Sequence, residues 1–210
     1  LPENLCRASE LAARAYAHGT PMGGELDPIS DGRSPRFLVS VLKDPGHQDH
    51  PGTDLQRIQI VKGWVDESGT THEKVIDIAG DANNGATVDR TTCEPKGAGA
   101  AALCTVWEDP DFDPNAAAFY YVRVLENPTC RWSTLQCQAA GVNPLGNDCA
   151  AQAEKQTVLA QERGASGDVY GKCCLLEAEE PFYSPLIQER AWTSPIWYEG
   201  AERATSRTEE

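Results

Sequence analysis

Apolar and polar residues alternate with a period of two over much of the chain, the pattern of strands with one buried face. Phe37, Val39 and Val41 mark one face of a first strand. Ile58 and Ile60 flank Gln59 in a second, which the pattern extends from Leu55 to Val65. Asp66-Glu67-Ser68-Gly69 reads as a hairpin turn into a third strand over His72 to Ala79. A fourth covers Ala101 to Trp107, and a fifth, Phe119 to Leu125, is rich in the aromatic and β-branched residues that suit a pleated surface. Trp192 to Tyr198 reads as a sixth, which Pro195 confines to an edge or a bulge. Six strands without βαβ spacing predict a mostly β fold, an antiparallel sandwich of immunoglobulin-like or fibronectin-like type over 27–198.

Helical signals are few. Ser9 to Ala15 is rich in helix formers, with Ser9 as a cap, and His18-Gly19-Thr20-Pro21-Met22-Gly23-Gly24 then stops the helix in a turn. From about 130 to 181 no strand pattern is visible, and this stretch holds five of the eight cysteines, so it reads as a long irregular region fixed by disulfides. Within it, Asp148 to Arg163 predicts a helix that Gly164 ends. The polar, charged stretch 199–210 reads as a disordered tail.

The cysteine count changes the picture from a plain β domain to one made for an oxidising compartment, periplasmic or secreted. A zinc site would want CxxC-like pairs, and none has that spacing. Cys93 with Cys104, across the Gly97-Ala98-Gly99 turn, is the first pairing expected, and Cys130 with Cys137 the second. The neighbours Cys173 and Cys174 go to two different partners, for which Cys6 and Cys149 remain. Eighteen basic against 32 acidic residues give a net charge of −14, which opposes nucleic acid and anionic lipid as partners. No apolar run is long enough to span a bilayer. Leu1 is no initiating Met and reads as a processed or cut end, with any export signal upstream.

Three places are candidates for chemistry. Asp109, Asp111 and Asp113 alternate as calcium ligands do, but Pro114 and Tyr120 stand where an EF-hand loop needs Gly and Glu, and capping of turns is the favoured account of the acids. His18 precedes a turn in which the N–H groups of Gly23 and Gly24 could gather around an anion. Arg131 and Trp132, between Cys130 and Cys137, could present a guanidinium and an indole to a sugar or an anion, or else pack structurally. His47 and His50 lie in a Pro/Gly-rich loop, and His72 follows a hairpin turn. No hydrolase elbow, HExxH pair or redox CxxC occurs, so no catalytic residue is assigned.

Four segments together carry a family resemblance: Tyr16 to Leu26 (YAHGTPMGGEL), Leu55 to Trp64 (LQRIQIVKGW), Ala118 to Ser133 (AFYYVRVLENPTCRWS) and Glu189 to Tyr198 (ERAWTSPIWY). They resemble the C-terminal region of a bacterial family of exported proteins of unknown function, whose N-terminal part looks like a PHP (polymerase and histidinol phosphatase) metallohydrolase barrel. The resemblance implies that residues 1–26 link from such a barrel and that divalent metal ions and their ligands belong to it, with no cofactor in this chain. It implies that this chain is an accessory β-sandwich domain of a PHP-like metal-dependent hydrolase, acting on phosphoesters or related esters. Its first partner would be that N-terminal part, with homo-oligomers a further possibility. The alternative is a non-catalytic ligand-binding or surface-assembly module.

Overall fold

The computed structural model describes residues 5–29, 32–48, 50–175 and 180–201. Strands of three or more residues are β1 (Arg36–Leu42), β2 (Leu55–Val65), β3 (Thr71–Gly80), β4 (Ala102–Glu108), β5 (Ala118–Glu126), β6 (Arg190–Trp192) and β7 (Ile196–Tyr198). The helices are α1 (Leu11–His18), α2 (Trp132–Ala139) and α3 (Cys149–Glu162). Antiparallel pairing runs throughout these strands, so the mostly β reading holds at that level. The chain divides into two compact units, one of residues 1–82, 99–126 and 190–210, the other of 83–98 and 127–189.

In the first unit β2 lies at the centre of a five-stranded sheet, between β3 and β5, and β6 and β7 share the far edge of β5. The break between β6 and β7 falls at Thr193–Pro195, where proline cannot donate to a ladder. Beyond β7, Glu25 bridges Trp197 in parallel, with Leu26 donating to the Trp197 carbonyl and Trp197 to that of Gly24. β1 and β4 form a two-stranded sheet in full register, Arg36 opposite Glu108 through Leu42 opposite Ala102. Their Phe37 and Trp107 pack with Ile60, Ala118 and Tyr120 of the large sheet, so alternate residues of β1, β2 and β5 build one core. Period-two alternation produced this arrangement directly: burying one face of each strand fixes which residues point inward.

The second unit has little sheet. Its pairings are two residues long, Thr87–Val88 with Pro95–Lys96 and Thr129–Cys130 with Leu186–Ile187. Two small cores form around cysteines, one of Val88, Cys93, Cys130 and Leu145, the other of Val142, Cys149, Ala153 and Cys173. α3 spans the expected helix, with Gly164 at positive φ just beyond its end. α2 lies where no regular element was expected. α1 starts one residue later than read, with Glu10 and not Ser9 at its N-cap.

All eight cysteines are bonded, but two expected pairs are wrong. The bonds are Cys6–Cys104, Cys93–Cys130, Cys137–Cys173 and Cys149–Cys174. Cys93 and Cys104 belong to different units, and Cys93, at positive φ, joins Cys130. Cys137 is on α2 and bonds Cys173. Cys173 and Cys174 do take different partners, and Cys149 is one of them, whereas Cys6 is not. Of the C-terminal stretch 199–210, only Glu199, Gly200 and Ala201 are described, and Ala201 N–H donates to the Pro114 carbonyl. No helix among the described residues is long and apolar enough to cross a membrane.

Candidate functional site

Two adjoining concavities lie in the first unit, and the strand pairing explains both. Lys62 on β2 stands opposite Lys74 on β3, two like charges side by side on one face. The loop after β4 resolves the repulsion with alternate carboxylates. Lys62 Nζ donates to Asp109 Oδ2 at 2.6 Å and to the Asp111 carbonyl at 2.8 Å, while Lys74 Nζ meets Asp111 Oδ2 at 2.6 Å. Tyr120 OH donates to the same Asp109 oxygen at 2.8 Å, and Asp111 N–H donates to the other. Lys62 and Asp109 are both buried, so this is an ion pair inside the fold with both carboxylate oxygens hydrogen-bonded. Burial, then the bond to Asp109, pushes the Tyr120 phenol above its ordinary pKa. Lys74 holds the Asp111 carboxyl below the usual carboxylate range, and Asp111 raises Lys74 in return.

Lys62, Asp111 and Tyr120 of this cluster reach a cleft of about 420 Å³, which Trp64, Asp66 and Asp113 also line. Asp66 opens the β2–β3 turn. Its Oδ1 accepts from Ser68 N–H, Ser68 Oγ and Thr70 N–H, and its Oδ2 lies 2.7 Å from His72 Nε2. Those bonds, Ser68 first and then His72, hold its carboxyl well below the ordinary range. His72 in turn stacks on Trp64, centroids 5.1 Å apart. Asp113 Oδ1 caps the next turn by accepting from Asn115 N–H.

The second concavity, about 550 Å³, is lined by Glu25, Trp64, His72, Phe119, Trp197 and Glu199 among others. Phe119 leans from β5 onto β2, where Gly63 has no side chain to oppose it: a Cβ there would meet Phe119 Cζ at 2.3 Å. Tyr121 holds its ring within 10° of that of Phe119, and Trp197 packs on Phe119 from the other side at 5.6 Å.

The residues singled out from sequence fall in several places. Asp109, Asp111 and Asp113 share the loop, but each carboxylate is engaged as above, and no three His, Cys, Asp or Glu residues among the described residues group around a possible metal position. His18 is exposed at the end of α1. The N–H groups of Gly23 and Gly24 donate to the carbonyls of Pro195 and Pro21, so the edge pairing and the turn use them. Arg131 Nε donates to the Ser184 carbonyl with its guanidinium over Tyr183, and Trp132 is 68% exposed at the start of α2. His47 and His50 are backbone partners in a two-residue pairing. Sequence reasoning missed Lys62, Lys74 and Tyr120 as partners of the acidic loop, and Phe119 and Trp197 as a groove. Odd-numbered aromatics opposite the buried Ala118, Tyr120 and Val124 of β5 were the available signal.

No curated protein and no solved structure matches the chain. Residues 1–173, most of the chain, match the model of the family described as Protein of unknown function (DUF3604), and the chain belongs to that family.

Proposed function

We propose that this chain is a non-catalytic accessory module of sandwich type, working beside a PHP-like metal-dependent hydrolase domain in a periplasmic or secreted protein. The observation that carries the non-catalytic part is the internal pairing of the cleft. General acid–base work needs a group free to move a proton near the operating pH. Here Lys62 is held by Asp109 and Lys74 by Asp111, which makes these charges a framework around the cleft. Four disulfides suit the oxidising compartment. The hydrolase partner rests on the four-segment resemblance alone, an argument by analogy.

The test compares this chain alone with the same chain joined to the PHP-like part, using bis(p-nitrophenyl) phosphate with added manganese. Turnover is expected only in the joined protein. Turnover by the isolated chain, abolished by Asp109→Asn or Asp66→Asn, would overturn the reading.

A further inference from the structure

The large sheet carries one transverse row in which Glu25, Trp197, Phe119, Gly63 and Glu73 stand side by side, because each is the register partner of the next. The flanking residues Ala118 and Tyr120 point into the core, so this row belongs to the opposite face. A large apolar ring stabilises a fold by leaving water, yet Trp197 stays 50% exposed and packs against Phe119, whose position Gly63 makes possible. The rings are held in place, wet, and bordered by carboxylates.

We propose that the groove at this row binds a carbohydrate, with pyranose rings laid against Trp197 and Phe119 and their hydroxyls donating to Glu25 and Glu199. The ligand must have an apolar face for the rings and donors along its edge for the acids, and a sugar combines the two. The C–H groups of a pyranose face carry partial positive charge and meet the negative face of an aromatic ring. Hydroxyl-to-carboxylate hydrogen bonds are of the strong, charge-assisted kind. Other occupants fit less well. The rim acids and the net charge of −14 oppose nucleic acid and anionic lipid. A lipid tail would strip water from the exposed Glu25 without returning a hydrogen bond. A concavity of about 550 Å³ matches the size of small-ligand sites, whereas protein partners typically meet over broader surfaces.

The proposal does not depend on the hydrolase reading, since binding and turnover are read separately and either can fail alone. Native affinity electrophoresis of the whole chain through gels containing hydroxyethyl cellulose, xylan, galactomannan or glycol chitin tests it. Retardation by at least one polymer is expected. Trp197→Ala and, as a second variant, Phe119→Leu should each weaken it about tenfold or more, while Phe182→Ala, an exposed ring in the other unit, should not. Thermal melting of each variant establishes that it is folded. Mobility unchanged by all four polymers would overturn the proposal, as would retardation indifferent to both groove substitutions. So would a dimer of the wild-type chain, seen by sedimentation, that Trp197→Ala dissolves, because the face would then belong to a second copy.

Discussion

The two units of this chain solve the same problem by different means. The first hides a continuous strand-borne core, Phe37, Ile60, Ala118 and Tyr120 with their neighbours, and has one disulfide, Cys6–Cys104. Among its described residues the second has only two-residue pairings and two small clusters that are half cysteine, yet it contains three disulfides, closing sequence separations of 37, 36 and 25. Where side chains alternate, burial of one face does the work. Where they do not, cross-links restrict the unfolded chain and leave less for the core to supply.

The contrast breaks most sharply under reduction. Replacing Cys137, Cys173, Cys149 and Cys174 by Ala removes two loop closures worth roughly 3–4 kcal/mol each on the chain-entropy account, enough to melt the second unit at 37 °C. Amide exchange should then show α3 unprotected while Ile60 and Tyr120 stay protected, and simultaneous loss of both would contradict the division. In the first unit the largest effect falls on the buried ion pair. Asp109→Ala leaves Lys62 charged and without its counter-ion, a loss of about 3–5 kcal/mol by urea unfolding. Replacing both, Lys62→Met with Asp109→Leu, should recover most of it, since the cost lies in the orphaned charge. Next comes Gly63→Ala, whose Cβ displaces the Phe119 ring and should cost about 1–3 kcal/mol, read as a lowered Tm.

The smallest effect is common to both units. Asp66 in the first and Asp89 in the second have carboxyls held below the ordinary range, Asp66 chiefly by Ser68 and His72, Asp89 chiefly by Lys96 and the Thr92 and Thr91 amides. A depressed folded-state pKa adds stability above the usual carboxylate pKa and loses it as pH falls through the folded value. Urea midpoints should therefore fall on acidification below about pH 4, and Asp66→Asn should flatten the part of that slope that belongs to the first unit. An unaltered slope would remove Asp66 from the account.

Much of the first unit was legible because alternation carries its own geometry: the pattern over Leu55–Val65 gave β2 to the residue, and Pro195 marked the broken edge strand. The second unit was not legible for the converse reason. Trp132-Ser133-Thr134-Leu135-Gln136-Cys137 has no strong apolar stripe, so α2 could not be told from a loop, and guessing a Cys130–Cys137 bond followed from that. Likewise the acidic loop was visible as a motif, but its meaning lay 47 and 37 residues away, in Lys62 and Lys74. Sequence proximity says little about partners that only the folded sheet brings together. Trp197 and Phe119 were read only as strand residues, because alternation identifies two faces without saying which one another layer will cover.

Cys173 and Cys174 are consecutive, and they tie down two different helices. During oxidation such a doublet is an ambiguity: the swapped pairing would join Cys137 to Cys174 and Cys149 to Cys173. Eight thiols permit roughly a hundred complete connectivities, and this swap is among the nearest to the native one. Spontaneous reshuffling takes minutes to hours. Yield in a host lacking a disulfide isomerase should therefore suffer, and in the second unit first.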